Sequence, residues 1–71
     1  MYSQKREKVR DMKREVGAYP TAGNADRYFR RRKGTVKDLM TKAGIEPYAV
    51  GNSKRYAVED IIDVYEDSIS G

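Results

Sequence analysis

The groups in this chain that could do chemistry are fifteen Lys and Arg, eleven Asp and Glu, and six Tyr; Cys and His are absent. Their absence removes a thiol nucleophile, a structural zinc site, His-ligated haem and an imidazole general base. No pair of carboxylates has the spacing of an acid/base couple, no nucleophile is matched with a base, and no glycine-rich phosphate loop is present. An enzyme is therefore not expected, and neither a cofactor nor a metal ligand set is read from the residues. The chemistry that remains is ionic. Arg30, Arg31, Arg32 and Lys33 stand in succession, Arg27 precedes them, Lys37 and Lys42 follow, and Lys54 and Arg55 form a last pair.

The distribution of charge says more than the net +4. All fifteen bases lie at or before Arg55 with only six acids among them, a balance of +9; residues 56–71 hold five acids and no base, a balance of −5. One positive region and one negative patch follow, and the positive region suits a polyanion, above all nucleic acid. A helix dipole is satisfied by one or two cations at its C-terminus. Four in a row repel one another unless an anion neutralises them, which favours phosphate contact for Arg30–Lys33.

The elements that must position these bases are short. Seventy-one residues allow one small domain with a marginal core and no disulfide or zinc staple. Residues 3–16 read as a basic helix that Ser3 could cap, with one thin stripe of Val9, Met12 and Val16. Glu7 with Arg10 and Asp11 with Arg14 would support its exposed side. It packs lightly or is an arm ordered only when bound. Gly17 to Gly23 is a loop in which Tyr19, before Pro20, packs down on the domain. A second helix is expected from Asn24, its N-cap, to Lys33, with Ala25, Tyr28 and Phe29 inward, Arg27, Arg30 and Arg31 outward, and Arg32 and Lys33 near its end. Gly34-Thr35 reads as a break and restart, with Thr35 capping a third helix and Asp38 at the third position of a capping-box-like arrangement. That helix buries Val36, Leu39, Met40 and Ala43 and presents Lys37, Asp38, Thr41 and Lys42.

Gly44 should end the helix in the left-handed conformation, and Pro47 forbids its continuation. Val50 to Tyr56 reads as strand, turn, strand around Gly51-Asn52-Ser53. Val50 and Tyr56 are expected inward, with Tyr48 as a further candidate, and Asn52, Ser53, Lys54 and Arg55 at or beside the tip. A two-stranded hairpin is unstable alone and must pack on the helices either side. A last helix from about Val58 to Ser68 buries Val58, Ile61, Ile62, Tyr65 and Ile69, bordered by Val64. Its outer face carries Asp63, Glu66 and Asp67. That acidic face would be solvated, would bind a protein partner, or would take the basic arm at residues 4–14, solvation being favoured.

A basic helix, a short turn and a second helix form the helix-turn-helix pattern, in which the second helix enters the major groove. That would bring Thr35, Lys37 and Asp38 near base edges, with Thr41 and Lys42 beside them, and Lys54 and Arg55 to phosphate or minor groove. The order Gly44-Ile45-Glu46-Pro47, Val50-Gly51, Lys54-Arg55-Tyr56, Glu59-Asp60-Ile61 is similar to that of the excisionase and MerR-like winged-helix proteins, over Thr35 to Tyr65. The Arg-rich 24–34 segment departs from the Ala-rich first helix of that group, and the N-terminal helix has no counterpart in it. The resemblance implies DNA bending in excision, transcription control, or packaging-site recognition as in small terminase subunits.

The expected architecture is mostly α with a small β-hairpin: a winged helix-turn-helix at 18–71 with an additional N-terminal helix or arm at 1–17. The expected function is sequence-specific binding of double-stranded DNA, as an excisionase-like architectural factor or a transcriptional regulator of phage or mobile-element type. Reading by helix 35–43 and by wing 50–56 would be aided by a homodimer or cooperative array. Val9, Met12 and Val16 are the candidate seam. The alternative is a protein-interaction module on the same scaffold, a phage terminase small subunit or a chain that binds a polymerase, integrase or terminase partner through the acidic C-terminal helix or the N-terminal arm. RNA is a second polyanion that charge alone does not distinguish. No segment is apolar and long enough to span a bilayer, no signal-peptide core follows Met1, and a cytoplasmic, nucleoid-associated location is expected.

Overall fold

The computed structural model describes residues 2–70, with side chains described for residues 5–68. Four helices and one hairpin follow in order: α1 Tyr2–Val16, α2 Ala22–Tyr28, α3 Thr35–Lys42, β1 Tyr48–Val50, β2 Ser53–Arg55 and α4 Val58–Ser70. α1 begins at Tyr2, one residue before the expected cap Ser3, so Ser3 lies inside the helix. α2 begins two residues before Asn24. Thr21 is its N-cap: extended after Pro20, it accepts a hydrogen bond at Oγ1 from the Asn24 N–H at 3.1 Å. Asn24 is thus the recipient of the cap, not its source.

α2 also ends five residues sooner than the run of apolar and basic residues suggests. Arg30 adopts φ 57°, the left-handed conformation, and is the one non-glycine residue with positive φ among the described residues. Its N–H donates to the Arg27 carbonyl at 3.1 Å and the Arg31 N–H to the Asp26 carbonyl at 2.8 Å. These two bonds are the Schellman closure that ends a helix. Arg30–Lys33 therefore belong to an irregular connection spanning residues 29–34, not to a helix C-terminus.

The reversal lets α2 cap α3. Asp26 is 4% exposed, and its two carboxylate oxygens accept from the Gly34 N–H at 2.9 Å and the Val36 N–H at 2.8 Å. A buried carboxylate is tolerated when charge-assisted bonds of this kind satisfy it. Gly34, not Thr35, is the N-cap residue of α3, and Thr35 Oγ1 instead donates back to the Arg32 carbonyl at 2.7 Å. Asp38 is exposed and its side chain closes no capping box. At the other end Gly44, φ 76°, closes a second Schellman pair with bonds from Gly44 N to Thr41 O and from Ile45 N to Met40 O, as expected from its glycine.

The hairpin pairs Tyr48 with Arg55, Ala49 with Lys54 and Val50 with Ser53, antiparallel. Gly51 has φ 60° while Asn52 does not turn positive, the pattern of a two-residue type II′ turn. The strands do not lie on the helices as expected. They are braced by the α1–α2 connection: Thr21 bridges to Arg55, Tyr56 N donates to Pro20 O at 3.0 Å, and Val58 N to Ala18 O at 3.2 Å. Val50 and Tyr48 are consequently about half exposed, contrary to expectation, and Tyr19 is exposed as well. The rings of Tyr19 and Tyr48 meet edge to face at 5.9 Å. Tyr56, 5% exposed, is the hairpin's one anchor in the core.

Met12, Ala25, Val36, Met40, Tyr56, Val58, Ile61 and Ile62 form that core, with Val9, Val16, Tyr28, Phe29, Ile45 and Val64 packed at its edge. Each fully buried aliphatic side chain contributes roughly 1.5–3 kcal/mol. Leu39 is half-buried and Ala43, at the end of α3, is exposed rather than buried. Ile69 lies outside the residues whose side chains are described.

The thin stripe of α1 is spent here: Met12 is fully buried, so the candidate dimer seam faces the chain's own core. The acidic face of α4 is not simply solvated. Lys5 pairs with Asp63, Lys8 with Glu66 at 2.5 Å, and Lys13 with Glu59 at 2.8 Å. Of the two pairs expected within α1, Asp11–Arg14 forms at 3.0 Å and Glu7–Arg10 does not. Asp11 also accepts a hydrogen bond from the Tyr28 hydroxyl. That bond, helped by Arg14, holds the Asp11 carboxyl below its usual range. Burial, and then the Asp11 carboxylate, push Tyr28 up to about 12. Glu59 is held low by its hydrogen bond from Lys13. Among the described residues no helix is long and apolar enough to cross a membrane.

Candidate nucleic-acid interface

The 29–34 connection brings Arg27, Arg30–Lys33 and Thr35 to two grooves, whereas Lys37, Asp38, Thr41, Lys42 and the hairpin candidates line neither. Arg30, Arg31, Arg32, Thr35, Leu39 and Tyr65 line one. Arg27, Arg31 and Lys33 line the other, with Gly23 and the committed carboxylate of Asp26. Arg31 borders both. It is the one arginine of the run with a fixed side chain: Nε donates to the Tyr65 hydroxyl at 2.8 Å, and its guanidinium carbon lies 5.7 Å from the Tyr65 ring centroid. Tyr65 is itself stacked on Phe29, rings 3.9 Å apart and 5° from parallel. Arg27, Arg30, Arg32 and Lys33 are exposed and make no ion pair among the described residues.

α3 presents Lys37, Asp38, Thr41 and Lys42 to solvent, with Thr35 half-buried at its start. The inward stripe of Val36 and Met40 fixes that orientation. In the hairpin, strand alternation sends neighbouring side chains to opposite faces. Lys54 shares a face with Ala49, and Arg55 shares the other with Tyr48. The two bases read together from the sequence therefore point apart. Arg55 is half-buried and donates from a terminal nitrogen to the Tyr19 carbonyl at 3.0 Å, a bond that ties the hairpin to its brace. Asn52 and Lys54 are exposed and Ser53 is half-buried.

Ion pairing divides the positive charge. Lys5, Lys8, Lys13 and Arg14 of α1 are neutralised within the chain. Among the described residues, no carboxylate forms an ion pair with any base from Arg27 to Arg55. Among the described residues Arg6 and Arg10 of α1 are exposed without an ion pair, and the other unpaired bases lie at Arg27, on the 29–34 connection, on α3 and in the hairpin.

Two residues that shape this surface were not singled out for it from the sequence. Asp26 reads as a helix-start acid, and its capping of a different helix has no local signature. Tyr65 reads as core. The available hint is that a tyrosine on a helix edge keeps a hydroxyl that needs a partner. Compared with known proteins, the chain matches no family model, no curated protein and no solved structure.

Proposed function

We propose that this chain is a winged helix-turn-helix protein that binds double-stranded DNA sequence-specifically, as an excisionase-like architectural factor or a transcriptional regulator. In this reading α2 and α3 are the helix pair, α3 enters the major groove, and the hairpin is the wing. Lys37, Asp38, Thr41 and Lys42 meet base edges, where a lysine suits guanine and an aspartate accepts from cytosine. Arg27, Arg30–Lys33 and Lys54 meet phosphates. The six-residue connection between α2 and α3 is longer than the three or four residues common in the motif, and its extra length is arginine. One observation carries the reading: among the described residues, ion pairs neutralise four of the six bases of α1 and none of those from Arg27 to Arg55.

The test is selection from a random duplex pool, followed by titration across salt. With about six phosphate contacts, log affinity should fall against log salt with a slope near −5. Joint replacement of Arg30, Arg31 and Arg32 by Gln should weaken all sequences alike, whereas Lys37→Ala should change sequence preference. Duplex RNA should bind more weakly, because its deep, narrow major groove excludes a helix. A flat salt response on DNA overturns the proposal.

A further inference from the structure

The groove between the 29–34 connection and α4 has three features that a merely solvated basic patch does not require. First, among the described residues it is bordered by three arginines and no carboxylate. Second, Arg31 is aimed. Its Nε–H is spent on Tyr65 at 2.8 Å, which leaves the four N–H groups of its two terminal nitrogens as a fork. The Tyr65 hydroxyl accepts that bond and keeps its own proton to donate. Third, Arg30 holds φ 57° at a helix-ending position where glycine has no steric penalty, so the chain keeps an arginine there against backbone preference.

Resting on the DNA-binding reading above, we infer that this groove is a discrete binding site for a backbone phosphodiester, with Arg31 as its bidentate ligand and Tyr65, on the otherwise acidic α4, as the residue that positions it. Guanidinium forks match phosphate oxygens in pairs, and a fork already oriented loses less freedom on binding. Arg30 and Arg32 flank the same groove and supply the remaining charge. The acidic helix is thereby part of the DNA-facing surface at one residue, rather than wholly turned away.

The experiment is a double-mutant cycle on the full chain with a selected duplex. Tyr65→Phe keeps the ring and its stack on Phe29 while removing the acceptor, so the fold is retained, as a thermal melt will check. Arg31→Gln should lower the salt slope by about one. Tyr65→Phe should weaken binding about 2- to 12-fold, the range for one net hydrogen bond. In the Arg31→Gln background the same change should have less than about a 2-fold effect, which a purely structural tyrosine would not show. The Arg31 Nε–H resonance should shift with duplex DNA. A shift with inorganic phosphate alone, and none with duplex, would mean a free-anion site and overturns the inference. Wild-type binding with a steep slope that neither variant alters overturns it too, while leaving the DNA-binding reading intact. Absence of salt-dependent binding by the wild type removes both.

Discussion

Arg30→Gly should make the protein more stable and a poorer DNA binder at once. Arg30 occupies the left-handed region at φ 57°, held by the Schellman bonds from its own N–H and from Arg31 N–H. For an L-residue that conformation costs roughly 1–2 kcal/mol. Glycine removes the cost and keeps both backbone bonds, but its freer unfolded chain gives back about 0.4–1 kcal/mol. The net is a gain of about 0.5–1 kcal/mol, or about 2–8 °C in melting temperature for a domain of this size. Loss of the side chain should lower the salt slope of DNA binding by about one. Arg30→Ala is the control. It removes the same charge, and the same repulsion from Arg31 and Arg32, but keeps a Cβ in the left-handed region. Thermal melts followed by circular dichroism and salt-dependent anisotropy on both variants separate the two effects. If Arg30→Gly melts no higher than Arg30→Ala, the strain argument is refuted, and with it the reason given for retaining an arginine there.

Asp26→Ala would strand the half-buried Gly34 N–H and the buried Val36 N–H and should cost about 2–4 kcal/mol, seen as a lowered denaturant midpoint. Asp26→Asn, which keeps one acceptor, should cost less. Acid should loosen the docking of α1. Asp11 and Glu59 have folded values below their ordinary 3.8 and 4.5, so their contribution is present above those values and is lost as pH falls through the lowered ones. Amide exchange in α1 should accelerate over that interval before the core of α4 opens. Tyr28 runs the other way. Its value is raised from 10.0 to about 12, so the stabilisation it adds is intact below pH 10 and disappears toward pH 12. Phenolate absorbance should show a tyrosine titrating near pH 12, and Asp11→Asn should bring it earlier.

Several elements were legible because their signals are local. Gly44 ends α3 through backbone freedom that no other residue type offers as cheaply, and Gly51 opens the hairpin turn for the same reason. The stripes Val36–Met40 and Val58–Ile61–Ile62 specify buried faces through helical spacing alone. The candidate bases on α3 follow from those stripes, since what is opposite a buried face is exposed. Misreadings cluster where a residue's partner is distant in sequence. The sequence puts the end of α2 too late because nothing adjacent marks Arg30 as left-handed. The turn is made so that Asp26 can reach Gly34 and Val36. The sequence points the hairpin to the flanking helices because its brace, Pro20-Thr21, is more than thirty residues from Arg55 and Tyr56.

The sequence by itself thus determined four helices and a hairpin in order, and a chain whose cations precede its anions. Only the tertiary structure decided where that charge is left unpaired. α1 lies along α4, and lysines near the start of the chain find acids near its end, 58 residues apart for both Lys5–Asp63 and Lys8–Glu66. The same packing brings Tyr65 to Arg31 across 34 residues. The physical reason is that backbone preference and apolar spacing act within a few residues, whereas an ion pair or a hydrogen bond depends on distances that exist only after the helices have packed. Composition shows how much charge a chain carries, and packing selects which of it remains to meet a partner.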